Sequence, residues 1–233
     1  MRQFESKHYI FHFHESSKAE ADIGAIASYQ EACFRHICSV LKVSPSFKIE
    51  YFLCQSPQEV GRLYGDDEPC NGFAVRPNRI YAVYNEKLRC IGFHEDAHIL
   101  SYTLNHPDCP AVREGLAMYF DRKWWGIQNM DWTQYYMKHH FYLPVETMLD
   151  KEAFFAADCS LTYPIMGAFT DYLINAYGIE AYLKFYSQQD MTQAMEDVYH
   201  KSPAEMNWEF VSYIRLFSLD PVLESRMEAL LKS

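Results

Sequence analysis

Hydrophobic alternation with period two is confined to the first third of this chain, and helical spacing governs the rest. Residues 7–14, KHYIFHFH, put Tyr9, Phe11 and Phe13 on one face and His8, Ile10, His12 and His14 on the other, the pattern of a half-buried strand. FKIEYFLC at 47–54 reads as a second strand. GFAVR and RIYAVYN, either side of Pro77-Asn78, read as a hairpin. A helix is expected over 17–42, opened by Ser16 or Ser17 and closed before Ser44-Pro45. A short helix runs from Ser56-Pro57 to about Tyr64, and 65–72 is a loop. Beyond the hairpin every periodic stretch is helical: 86–104, a helix from Ala111, then 131–140, 145–156, 160–177, 179–187, 190–199, 203–217 and 220–231. Strands first and helices after predict an α+β fold. The expected organisation is one domain over 1–233, with the sheet and the helix of 86–104 in 1–105 and a helical lower half in 106–233.

With 233 residues the chain can bury a sizeable core without disulfides, and 49% hydrophobic against 22% charged residues excludes a disordered tail. The net charge of -10, with no Lys/Arg cluster, argues against a nucleic-acid partner and mildly favours basic peptides. The seven cysteines are odd in number and contain no C-x-x-C. The start lacks a signal-peptide pattern, and no run of 18 apolar residues suits a membrane span. A protein of the reducing cytoplasm, with no membrane partner, is the expectation. The histidines of 7–14 read as a polar solvated face, since no acidic or Cys partner accompanies them at useful spacing.

His94-Glu95-Asp96-Ala97-His98 is an H-E-x-x-H sequence. On a helix, residues four apart lie one turn along and about 40° around the axis, so both imidazoles can reach one ion. Glu95 lies about 100° from His94, placed to take a proton from a water rather than to ligate. A hydrolytic zinc site needs three protein ligands and an open position, and Glu114, in VREGLAMYF on the next helix, is the candidate third ligand. A short turn folds that helix back against the first, and Gly115 is read as permitting their close approach.

HEDAH at 94–98, REGLAMYF at 113–120 and YPIMGAFTDYLINAYG at 163–178 together resemble the gluzincin zinc metallopeptidases of the thermolysin-like clan, and most closely the small bacterial peptidase MA-like domains. The resemblance extends to about residue 190. It implies a zincin-like fold, with a twisted, mainly antiparallel sheet over the motif helix and a helical subdomain after it. It implies one Zn2+ on His94, His98 and Glu114, Glu95 as general base, and hydrolysis of peptide or protein substrates by a metal-activated water. The sheet edge above the metal would be GFAV, 72–75, where Phe73 and Ala74 offer backbone groups to an extended peptide; a plain edge strand is the other reading. Relatives carry an acidic residue four positions after the glutamate ligand. Here that position is Met118, and Asp121 or a backbone carbonyl would have to orient the histidine. Tyr163 is the candidate oxyanion stabiliser, with a packed ring as its alternative and His139 or His140 as other donors. His106 reads as a helix C-terminal residue. Two further functions stay open: a zincin-fold binding protein with little turnover, and a non-peptidase zinc hydrolase such as a deformylase. The E-G-C-L-S motif of the latter is absent, and Cys109 would have to replace Glu114.

Overall fold

The connections between the first strands decide how they pair. In a computed structural model describing residues 1–65 and 67–232, the chain divides into two units, Met1–Leu104 and Asn105–Ser233. Asp66, inside the loop expected at 65–72, and Ser233, the last residue of the expected domain, lie outside the described residues. The first unit contains β1 (Arg2–Glu5), β2 (Tyr9–Phe13), α1 (Lys18–Leu41), β3 (Ile49–Cys54), α2 (Pro57–Tyr64), β4 (Gly72–Val75), β5 (Arg79–Val83) and α3 (His94–Ser101). Its five strands lie in the order β1-β2-β3-β5-β4. Short links give antiparallel pairs, β1 with β2 and β4 with β5. The crossover through α1 makes β2 and β3 parallel, and β5, inserted between β3 and β4, is parallel to β3. The sheet is therefore mixed rather than mainly antiparallel.

Ser17 caps α1 by accepting from the Glu20 amide, and Ser56 caps α2 with Pro57 in its first turn. Tyr9, Phe11, Ile49, Tyr51, Leu53, Ile80 and Ala82 are buried on the sheet face that packs α1 and α3. The opposite face is not simply solvated. His12 stacks on Phe52 with ring centroids 4.2 Å apart. The row continues through Tyr81, Phe73 and Tyr64 at 4.6, 4.8 and 4.8 Å. His8 and His14 each sit 2.6 Å from a carboxylate, of Glu31 and Glu59 respectively. These histidines thus have separate partners rather than a shared solvent face.

The motif helix is much shorter than the spacing suggests. Asn85 Oδ1 accepts the amides of Lys87 and Leu88, and the Cys90 amide bonds Val83 O, so 86–90 is a turn laid on β5. Gly92 then adopts φ +136, open to glycine and strained for any other residue, and α3 starts at His94 itself.

The second unit holds α4 (Pro110–Asp121), the two-residue strands β6 (Lys123–Trp124) and β7 (Ile127–Gln128), α5 (Asn129–Lys138), α6 (Val145–Met148), α7 (Lys151–Ala156), α8 (Cys159–Tyr177), α9 (Ile179–Tyr186), α10 (Met191–Tyr199), α11 (Pro203–Ile214) and α12 (Pro221–Leu231). At its centre α4 packs on α8. A β carbon on Gly167 would stand 2.6 Å from Met118 Cβ, so only glycine permits this approach. Pro164 lies inside α8 and has no amide to give Ser160 O, and the Tyr136 hydroxyl donates to that carbonyl at 2.6 Å instead. No helix among the described residues is long and apolar enough to cross a membrane.

Candidate metal centre

Eight residues from His94 to Ser101 form one helical segment, and the two imidazoles stand one turn apart on it, ring centroids 5.0 Å apart and nearly perpendicular. His98 is buried and His94 half-buried. The Tyr102 ring lies over His98, with its hydroxyl 3.4 Å from Nδ1. That places an oxygen beside one ring nitrogen of His98, the kind of contact that orients a ligating imidazole.

The helix is tied into its unit by a residue that motif reading passes over. Asp96 is fully buried, and Gln30 Nε2 donates to it at 3.2 Å and to Gly92 O at 3.1 Å. The Tyr9 hydroxyl lies in hydrogen-bond contact with Asp96 Oδ2 and 3.0 Å from Gln30 O. Burial pushes the Asp96 carboxyl well above the usual carboxylate range, against the opposing bond from Tyr9, and the nearby Glu95 charge adds to the rise. A neutral carboxyl can donate to the phenol oxygen while the phenol donates to Gln30 O, which gives every proton in this set a place. The sequence signal was an acidic residue on the inward side of an amphipathic helix.

Glu95 meets the sheet at its edge. A β carbon on Gly72, the first residue of β4, would lie 3.0 Å from Glu95 Oε1 and 3.4 Å from Tyr81 O. Gly72 therefore leaves the room that the carboxylate occupies. The Val83 amide bonds Asn71 O, so alternation along the antiparallel pair turns the backbone groups of Phe73 toward β5 and those of Gly72 and Ala74 to the outer edge. Of the two edge residues expected, Ala74 has outward groups and Phe73 does not; Phe73 instead stacks on Tyr81. Nearby, burial and then the Glu95 charge push the Cys90 thiol up to about 11, which keeps it protonated at neutral pH.

Glu114 lies in the second turn of α4 and is half-buried. Gly115 beside it serves α8 rather than the motif helix: a β carbon there would fall 2.9 Å from Met166 O and 2.8 Å from Thr170 Oγ1. Met118 is buried against Gly167, and its carbonyl accepts from Asn129 Nδ2 at 2.8 Å, so this position is committed to packing. His94, His98 and Glu114 form a group that could hold a metal ion: each offers one ligand atom, and these atoms lie within 4.8 Å of one another. Two imidazoles and one carboxylate match zinc chemistry and not the all-oxygen preference of calcium or magnesium.

The Tyr163 ring packs on Trp124 and Phe154, at centroid distances of 5.7 and 6.1 Å. Cys109 is buried at the start of α4 with Sγ 3.6 Å from Leu149 O. His140 is exposed, with φ 61. His106 lies in the irregular link after α3. His139 joins Glu224 and Glu228 in a second group of possible ligands that sequence spacing did not suggest. Lys138 Nζ, 2.7 Å from Glu224, already neutralises that carboxylate, which makes the group an ion-pair cluster rather than a metal cradle. Comparison of the chain with protein-family models, with curated proteins and with solved structures gives no match, so its chemistry is read from its own residues.

Proposed function

We propose that this chain is a zinc metallopeptidase of the gluzincin, peptidase MA-like kind, with a zincin-like fold, acting on extended peptide or protein segments. The observation that carries the reading is the grouping of His94, His98 and Glu114, two imidazoles and one carboxylate, on the chain that also sets Glu95 against the β4 edge through Gly72. A zinc ion held by the three residues would supply Lewis acidity, lowering the pKa of water and polarising a carbonyl. The chain's own residues do the rest. The outward backbone groups of Ala74 and the Gly72 amide pair with an extended substrate, while Gly72 O accepts from Cys70 Sγ at 3.1 Å. Glu95 takes the proton of the attacking water and delivers it to the leaving amine. Tyr102 holds the His98 ring, in place of the carboxylate that Met118 does not provide. Tyr163 is the proposed donor to the carbonyl oxygen as it gains charge.

Met118 is the observation that favours the second reading, a zincin-fold protein that binds peptides without cleaving them. One experiment separates the two. Glu95→Gln is expected to retain one zinc per chain by elemental analysis and to lose cleavage of a peptide library by about 10²–10⁴-fold. His94→Ala is expected to lose the zinc as well. Wild-type cleavage by Glu95→Gln sinks the mechanism, and a zinc-loaded wild-type chain that cleaves no library member establishes the binding reading.

A further inference from the structure

We infer that Arg76 and the cavity beside it form a subsite for an acidic side chain of the peptide substrate, four positions along from the residue opposite Gly72. The inference rests on the peptidase reading and deepens it. A cavity of about 410 Å³ is lined by Phe47, Arg76, Pro77, Ile99, Tyr102 and Thr103. Its walls come from α3 just past His98 and from the turn that follows β4. The strand β4 thus runs from the proposed base, at Gly72, to Val75, and Arg76, the first residue of the turn that follows, lines the cavity. Four residues of strand span about 13 Å. Side chains alternate along a strand, so Ala74 keeps the parity of Gly72, whose missing β carbon would point at Glu95 on the inner face, and Arg76, just past the strand, shares the cavity with Ile99 of α3, the helix packed on that face. A peptide paired along the outer edge of β4 would keep that parity, and its residue opposite Arg76 would project toward the cavity.

The chemistry of the cavity is one-sided. Phe47, Pro77, Ile99 and the Tyr102 ring give apolar surface for an aliphatic stem, and among the described residues no carboxylate lines it. The Arg76 side chain is exposed and has no hydrogen bond or ion pair among the described residues, in a chain whose net charge is -10. The neighbouring cations are already engaged: Lys48 lies 2.6 Å from Glu5 and Arg79 3.5 Å from Glu50. The turn itself is fastened, since Asn78 Nδ2 donates to Lys48 O at 2.7 Å and Asn78 O accepts the Glu50 amide at 2.9 Å. An arginine on a fixed turn, unpaired, over apolar walls is suited to grip a carboxylate with two parallel hydrogen bonds. The net charge favours basic peptides in general; this locus reverses that preference at one position.

The test is equilibrium binding, with no turnover required. Zinc-loaded Glu95→Gln protein is titrated into fluorescein-labelled ten-residue peptides carrying Glu, Gln or Lys at each position in turn, and Kd is read by anisotropy. At one position Glu is expected to bind about tenfold or more tightly than Gln. Adding Arg76→Ala should bring the Glu and Gln peptides to equal affinity, and adding Arg76→Glu should make Lys the preferred residue there. Arg76 is exposed, so these variants keep the fold. Peptides that bind with no Glu preference, or a preference that survives Arg76→Ala, overturn the subsite and leave the peptidase reading standing. Failure of every peptide to bind overturns both.

Discussion

The two helices that carry the proposed ligands are held in opposite ways. The motif helix α3 is eight residues long, too short to be stable by itself, and most of its backbone groups are terminal. It is fixed by side-chain hydrogen bonds, Asp96 to Tyr9 on β2 and to Gln30 on α1. The twelve-residue α4 is fixed by the absence of side chains, where Gly115 and Gly167 let it and α8 approach to backbone contact. A hydrogen-bonded tie sets the rotation of a helix and so aims His94, Glu95 and His98. A glycine contact sets separation and tolerates no added volume. The first should fail when a partner is removed, and the second when an atom is added.

The largest effects are expected at the glycine contact. A β carbon on Gly167 would lie 2.6 Å from Met118 Cβ and 2.5 Å from Asn129 Nδ2, and neither can withdraw without disturbing the Asn129 bond to Met118 O. Gly167→Ala should cost about 1–3 kcal/mol even after the better helix propensity of alanine is counted. Gly115→Ala meets a backbone oxygen at 2.9 Å and should fall in the same range. Urea unfolding midpoints measure both; a variant as stable as wild type breaks the distinction between the two helices.

Next comes the hydrogen-bonded tie. Asp96→Ala leaves buried partners on Tyr9 and Gln30 unmet and should cost about 1–3 kcal/mol. Asp96→Asn sharpens the point through pH. The folded-state pKa of Asp96 is raised by burial, so its contribution to stability is fully present below the unfolded carboxylate value and is lost as pH rises toward the folded one. Asparagine keeps a donor for the phenol and titrates nowhere. Stability of the metal-free Asp96→Asn protein relative to wild type should therefore rise with pH from acid toward neutral. A difference constant with pH would show Asp96 to be ordinary.

These two modes were unequally legible in the sequence. Strand alternation and helix caps are local, so the positions of α1, α2, the hairpin and the later helices were readable to within a few residues. The helix expected over 86–104 was not, because Leu88 and Ile91 mimic helical spacing while Asn85 and Gly92 impose a turn, and a side-chain-to-backbone bond leaves no period to detect. Gly115 was legible as a close-approach residue, but its partner was not: which helix it meets depends on α8, some fifty residues away in sequence. Asp96 carried a faint mark, a charged residue where the helix should be apolar. Parity at the sheet edge was recoverable only from the Val83–Asn71 bond, which moved the outward role from Phe73 to Gly72.

The smallest stability change, and the sharpest separation of fold from function, is expected at Gly72. Gly72 is also a close contact made by a glycine, yet it differs from Gly115 and Gly167 in what it touches. The nearest atom to an added β carbon is Glu95 Oε1 at 3.0 Å, the far end of a flexible side chain, and the next is Tyr81 O at 3.4 Å, close to ordinary contact. The carboxylate can swing aside, and alanine in a strand recovers up to about 0.5–1 kcal/mol of the entropy that glycine loses. Gly72→Ala should thus unfold within about 1 kcal/mol of wild type and bind zinc at the proposed site as wild type does. Glu95, displaced by about 1 Å, should lose up to about a hundredfold in kcat, since general-base geometry is that sensitive. Gly72→Val should go further in the same direction. If both variants cleave peptides at the wild-type rate, the carboxylate does not work from the position beside β4, and the tie through Asp96 aims something other than a base.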